Sequence, residues 1–181
     1  MTETELEQLK YPIGKHAYAG ALTTAQLDGC LNDIAALPGK LKKEVAHLSA
    51  EQLDTPYRPG GWTVRQVVHH LGESHMNAFI RFKLALTEER PIIKPYMEAA
   101  WCDMADNRHM AVETGLDLVA ALHARWMVLL KGLTAAQLQR SYIHPEYKKE
   151  YSLEEAVSAY AWHSNHHLAH ITELKKKNNW K

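Results

Sequence analysis

Apolar residues spaced three, four and seven apart recur in four separate stretches of this chain. That spacing limits what it can fold into, because it lays a continuous apolar stripe along one side of an α-helix and along no face of a strand. The first stretch, residues 24–49, carries Leu27, Leu31, Ile34, Leu41, Val45 and Leu48, with Pro38 as a kink or break point. After the turn-rich run Thr55-Pro56 and Arg58-Pro59-Gly60-Gly61, Thr63 with Gln66 reads as a capping box that opens a second helix reaching to about residue 88. Pro91 and Pro95 then interrupt the pattern, and the segment up to residue 113 reads as a long crossover with room for a short helix over 97–103. Thr114 with Asp117 is a cap for a third helix bearing Leu118, Val119, Leu122, Trp126, Leu129 and Leu130. Residues 142–151, with His144-Pro145, read as a loop. Ser152 with Glu155 is a second capping box, opening a fourth helix with Val157, Tyr160, Ala161, Leu168, Ile171 and Leu174. Four amphipathic helices with long connections predict an all-α four-helix bundle with long crossover connections, whose metal sites are built from side chains on facing helices.

A length of 181 residues suits one domain, 1–181, with one buried core. Lysine plus arginine and aspartate plus glutamate both number 21, so no net field draws the chain to nucleic acid or to an anionic membrane. The one charge run, Lys175-Lys176-Lys177, falls at a helix C-terminus, where cations complement the helix dipole. Cys30 and Cys102 are far apart and form no CxxC pair, which argues against a disulfide framework or a thiolate zinc site. No stretch approaches the roughly 18 apolar residues of a membrane span, and residues 1–10 are polar and acidic, so a cytoplasmic location is expected.

Chemistry concentrates in the histidines. The run His163-Ser164-Asn165-His166-His167-Leu168-Ala169-His170 and the upstream group His69, His70 and His75 both lie on predicted helices. Histidine is the commonest metal ligand, and two such clusters point to a metal site. On the last helix the apolar stripe centres near Ser164 and Ile171, so His163 and His167 flank it and face partly inward, while His166 and His170 turn further toward solvent. An i, i+4 pair stacks two imidazoles within reach of one ion, which makes His163 and His167 the better pair. On the second helix the wheel puts His75 inside the stripe, His70 on its flank and His69 almost opposite. His70 and His75 therefore compete, and the simpler reading of His75 is a core histidine hydrogen-bonded to a neighbour. His69 reads as solvent-exposed.

The segments Tyr57-Arg58-Pro59-Gly60-Gly61-Trp62-Thr63-Val64-Arg65-Gln66-Val67-Val68-His69-His70-Leu71, Tyr11-Pro12-Ile13-Gly14 and residues 162–174 closely resemble the DinB-like superfamily and its bacterial metal-dependent hydrolases. The resemblance spans nearly the whole chain. It implies that the second histidine of His69-His70-Leu71 and the i, i+4 pair of the last helix, hence His70, His163 and His167, hold the metal. It also implies a four-helix bundle, a homodimer, and zinc or nickel, one ion per subunit. Glu73 departs from the family pattern, where aspartate stands.

Three neutral imidazoles leave a coordination position open, the mark of a catalytic rather than a structural zinc site. The ion would lower the pKa of bound water toward about 7, which is hydrolase chemistry on a small-molecule substrate. No glutamate follows His163 as in HExxH peptidases, so peptide hydrolysis is not expected. Glu73, one turn from His70, is the candidate carboxylate to orient that imidazole or take a proton, set against the reading of an ordinary surface glutamate. An open metal position also suits a thiol, and some relatives in the superfamily are S-transferases that use low-molecular-weight thiols such as bacillithiol. A non-catalytic metal-binding protein is the third reading. Trp62, Trp101, Trp126 and Trp162 read as core or dimer-interface residues, His144 as a loop residue within reach of the pocket, and Arg58 and Arg65 as salt-bridged or anion-holding side chains.

Overall fold

Side-chain caps fix most of the helix starts. The computed structural model describes residues 2–181, in which the elements run α1 (Glu3–Lys10), α2 (Thr24–Val45), α3 (Ala50–Leu53), α4 (Val64–Thr87), α5 (Glu98–Cys102), α6 (Ala105–His109), α7 (Val112–Lys131), α8 (Ala135–Leu138), β1 (Ser141–His144), β2 (Lys149–Ser152) and α9 (Leu153–Lys177). Thr2, Thr23, Ser49, Thr63 and Thr134 each close a reciprocal capping box with the glutamate or glutamine three residues on. The Thr63–Gln66 box starts α4 where the sequence places it.

Elsewhere the structure corrects the sequence reading. The first long helix ends at Val45, and Ser49 caps the separate turn α3 instead of ending α2. Pro38 stands inside α2 without breaking it. α7 begins at Val112 with no side-chain cap, because the Thr114 amide already donates to the Ala111 carbonyl at 3.1 Å. Only half of the Ser152–Glu155 box forms: Ser152 Oγ accepts from the Glu155 amide, but the Glu155 carboxylate turns to Lys149 Nζ at 2.6 Å. Residues 142–151 are not a loop but the body of a β-hairpin, with Tyr142 opposite Tyr151 and His144 opposite Lys149. Its two-residue period turns Tyr142 and His144 inward. The Ile93 and Ile143 amides pin it to the crossover by donating to the Ile143 and Pro91 carbonyls.

The four long helices form the bundle. α2 packs on α7 and α9, and α4 packs on α7 and α9, so the sequence neighbours α2 and α4 stand on one diagonal and α7 and α9 on the other. Each diagonal step must cross an end of the bundle, which is why residues 46–63 and 132–152 are long connections that carry structure of their own.

The apolar stripes meet in two separate clusters. One gathers Ile34, Phe82, Trp126, Leu130, Leu153 and Val157; the other gathers Leu37, Leu41, Val67, Leu71, Val119 and Ile171. Between them, along α4, α7 and α9, lie the buried polar residues Ser74, His75, His123, Ser164 and His167. Phe82→Ala, emptying a fully buried site, should cost about 3–5 kcal/mol in urea unfolding, whereas Ile92→Ala at a position 70% exposed should stay within about 0.5 kcal/mol.

Candidate metal centre

The helical period of α9 sets His163 and His167 one turn apart, and the neighbouring helix α4 presents His70 to them. Each of the three rings offers a nitrogen, and the three nitrogens lie within 4.8 Å of one another. Ring centroids are 4.5 Å apart for His163 and His167, 4.8 Å for His70 and His167, and 5.4 Å for His70 and His163. Trp62 closes one side, its ring 4.5 Å from His70 and stacked 6.0 Å from His167. Burial holds all three imidazoles well below their usual pKa, His70 down to about 3, and the neighbouring imidazoles add to the shift. Neutral imidazole is the ligating form. His70 Nδ1 is buried without a hydrogen-bond partner among the described residues, an uncompensated polar atom that coordination through that nitrogen would satisfy. The donor set fits a divalent borderline metal such as zinc or nickel.

Both α9 imidazoles are held from behind. His163 Nδ1 lies 3.1 Å from His75 Nε2, His75 Nδ1 lies 2.8 Å from His123 Nε2, and His123 Nδ1 lies 2.8 Å from the Ile34 carbonyl oxygen. His75 is thus a core histidine bonded to its neighbours and stands behind His163. His167 Nδ1 lies 3.3 Å from His170 Nδ1, and His170 Nε2 lies 3.0 Å from the Lys10 carbonyl oxygen.

His166 and His170 are buried, against the sequence expectation of greater exposure. The N-terminal segment covers them. Trp162 stacks on His166 at 4.4 Å and donates to the Gly14 carbonyl, Tyr11 lies 5.8 Å from His166, and Tyr57 stacks on His170 at 3.9 Å. His166, His167 and His170 also approach closely enough to hold an ion, but the His167 and His170 Nδ1 atoms already face each other in a hydrogen bond. His69 is partly buried, its Nε2 3.4 Å from the Met110 carbonyl.

Glu73 lies half-buried on α4. Its Oε1 accepts from Asn107 Nδ2 at 2.8 Å, its Oε2 is buried without a partner among the described residues, and burial raises its pKa. Arg65 is salt-bridged to Asp54 at 2.7 Å, while Arg58 leans on Tyr57 and donates to the Pro59 carbonyl. A cavity of about 220 Å³ opens on His163, lined by Arg81, His144, Tyr151, Tyr160 and Trp162. Arg81, His144 and Tyr147 also line an outer cavity of about 560 Å³. Sequence reasoning missed His123 and Arg81. His123 was legible, since Val119, His123, Trp126 and Leu130 continue one helical stripe. Arg81 had no local signal, because its importance comes from the hairpin that folds against α4.

The comparisons with known proteins agree with this architecture. The model of the DinB superfamily matches residues 34–171, and this chain belongs to that superfamily. It is 48% identical to YfiT of Bacillus subtilis over 95% of this chain and 97% of that one. It is 49% identical to a protein of Oceanobacillus iheyensis over 94% and 98% of the two chains. Both carry the provisional name metal-dependent hydrolase. The solved structure of Bacillus subtilis YfiT, described as having an unusual four-helix bundle topology, superposes with a TM-score of 0.94 over 96% of this chain and 99% of that one.

Burying so many neutral imidazoles makes the metal-free fold sensitive to acid. Above the ordinary value of 6.5, folded and unfolded chains bind the same histidine protons. As the pH falls from 6.5, the unfolded chain takes up protons that His70, held near 3, and His166 and His170, held near 4, do not accept. Stability is therefore full above pH 6.5 and falls below it, by up to about 1.4 kcal/mol per pH unit for each such histidine. Urea titrations of metal-free protein at pH 7.5, 6 and 5 should give steadily lower midpoints. A midpoint unchanged from pH 7.5 to 5 would contradict the neutral buried cluster.

Proposed function

We propose that this chain is a metal-dependent hydrolase of small molecules, with one zinc or nickel ion per subunit held by His70, His163 and His167. The observation that carries the reading is the convergence of three neutral imidazoles from two facing helices, one of which, His163, lines a cavity. Such an ion supplies Lewis acidity and brings the pKa of a bound water toward about 7. The protein's own groups do the rest. Trp62 shields the imidazoles on one side, and the rings of Tyr151, Tyr160 and Trp162 give the cavity apolar walls for the body of a substrate. Arg81 Nη1 donates to the Tyr160 hydroxyl at 3.2 Å, and Arg81 has no carboxylate within ion-pair distance among the described residues. It is placed to hold an anionic group of the substrate. Glu73 is the proposed proton-transfer carboxylate, kept protonatable by burial and one turn from His70.

A second reading is S-transfer from a low-molecular-weight thiol such as bacillithiol to an electrophile. One observation favours it: Glu73, the proposed proton-transfer carboxylate, is not among the described residues lining the cavity on His163, and a thiol ionised at a metal needs no general base. A homodimer is also proposed, supported by the exposed apolar side chains Met76 and Ile80 on α4 and Leu118 and Val128 on α7. Sedimentation of the metal-loaded protein should give twice the chain mass.

Elemental analysis of purified variants tests the centre. His70→Ala, His163→Ala and His167→Ala should each lose most of the metal, while His69→Ala and His166→Ala keep it; full occupancy in His167→Ala would end the assignment. Activity separates the two chemistries. Metal-loaded protein should hydrolyse members of an ester and amide panel without thiol, with anionic members preferred and that preference lost in Arg81→Gln. Thiol-dependent formation of a carbon–sulfur product, with no hydrolysis, would instead select the transferase.

A further inference from the structure

Tracing the hydrogen-bond chains behind the two α9 imidazoles to their ends reveals a device in the main chain. A neutral imidazole has one N–H and one lone pair, so a carbonyl at one end of a chain of imidazoles fixes every ring in it. The Ile34 carbonyl can only accept, so His123 Nδ1 carries hydrogen and His123 Nε2 accepts. His75 must then donate from Nδ1 and accept at Nε2, and His163 must donate from Nδ1. The lone pair of His163 is left on Nε2. The second chain runs the same way: the Lys10 carbonyl takes the His170 Nε2 hydrogen, His170 Nδ1 takes the His167 Nδ1 hydrogen, and the lone pair of His167 is left on Nε2.

Both terminal carbonyls are available for a physical reason. Lys10 is the last residue of α1, where carbonyls lack helical partners. Ile34 lies in the middle of α2, where its carbonyl would ordinarily accept from the amide of residue 38. Residue 38 is proline and has no amide hydrogen. The helix continues across it, so the proline leaves an unclaimed acceptor in the interior of the bundle, facing α7.

We propose that Pro38 is a positioning residue of the metal centre: by leaving the Ile34 carbonyl without its helical donor, it anchors the chain His123–His75–His163 and makes His163 present Nε2 to the ion. The Lys10 carbonyl does the same for His167 through His170. The proposal rests on the ligand reading above. A helix can tolerate this proline only at a cost in its own hydrogen bonding, and here that lost bond is replaced by a bond to a buried imidazole.

The test uses the full chain with ¹⁵N-labelled histidine. Two-bond ¹H–¹⁵N spectra of the metal-free protein report the tautomer of each ring, and competition with a chromogenic chelator reports zinc affinity. Wild-type protein should show hydrogen on Nδ1 of His163, His75 and His123. Pro38→Ala restores a competing amide, so His123 and His163 should become tautomer mixtures and zinc affinity should fall about 10-fold, within the range for ligand-orienting partners. Its helicity should not fall, since alanine is the better helix former. His123→Leu should weaken zinc binding about 10- to 100-fold, and His123→Gln, which keeps one donor and one acceptor, should recover part of it. Hydrogen on Nε2 of His163 in wild type, or unchanged tautomers or unchanged affinity in Pro38→Ala, overturns the proposal. Should Pro38→Ala fail to fold, equal affinities in His123→Leu and His123→Gln overturn it. Failure of the wild type to bind zinc, with the tautomers as described, would instead overturn the ligand reading and leave the hydrogen-bond chain standing.

Discussion

Placing uncharged imidazoles across the middle of an apolar bundle is the constraint on which the rest of the structure depends. Each ring carries a donor and an acceptor, and a buried polar atom without a partner costs about 1–3 kcal/mol. The layer is tolerated because the rings satisfy one another and the chains end on main-chain carbonyls, Ile34 in α2 and Lys10 at the end of α1. His70 Nδ1 is buried without a partner among the described residues, in one of the three rings that offer a nitrogen to the candidate centre. The residues that satisfy one another's polar groups are those that could hold an ion.

The diagonal arrangement of the helices follows from serving that layer. α4 and α9 must face each other to bring His70 to His163 and His167, and α7 must adjoin both α2 and α4 so that His123 can reach from His75 to the Ile34 carbonyl. The consequence is that α2 and α4, and α7 and α9, are joined across the bundle ends. The long connections are then used. One supplies Trp62 against His70 and His167, and the other supplies His144 and Tyr151 to the cavity. The N-terminal segment completes the enclosure by covering His166 and His170.

How much of this was legible in the sequence depends on range. The four long helices were readable because apolar period and capping chemistry are local, as at Thr63 and Gln66. The pairing of His163 with His167 was readable from spacing, and the structure adds that His70, rather than His75, approaches both; His75 hydrogen-bonds from behind. The hairpin was not readable, because strands of four residues carry too few alternations to stand out and this one is held by the distant crossover at Pro91 and Ile93. Nor was the burial of His166 and His170, since a helical wheel knows nothing of a segment 160 residues away that folds over it. Pro38 was visible as an interruption of a helix, and only the structure shows which acceptor it releases.

The most direct test of the central claim is X-ray absorption at the zinc edge of stoichiometrically loaded protein. A centre built by His70, His163 and His167 predicts three imidazole ligands with nitrogen at about 2.0–2.1 Å, a further light-atom ligand, and the outer-shell scattering of histidine rings. A sulfur neighbour at about 2.3 Å, or a first shell fitted by two imidazoles or fewer, would contradict it.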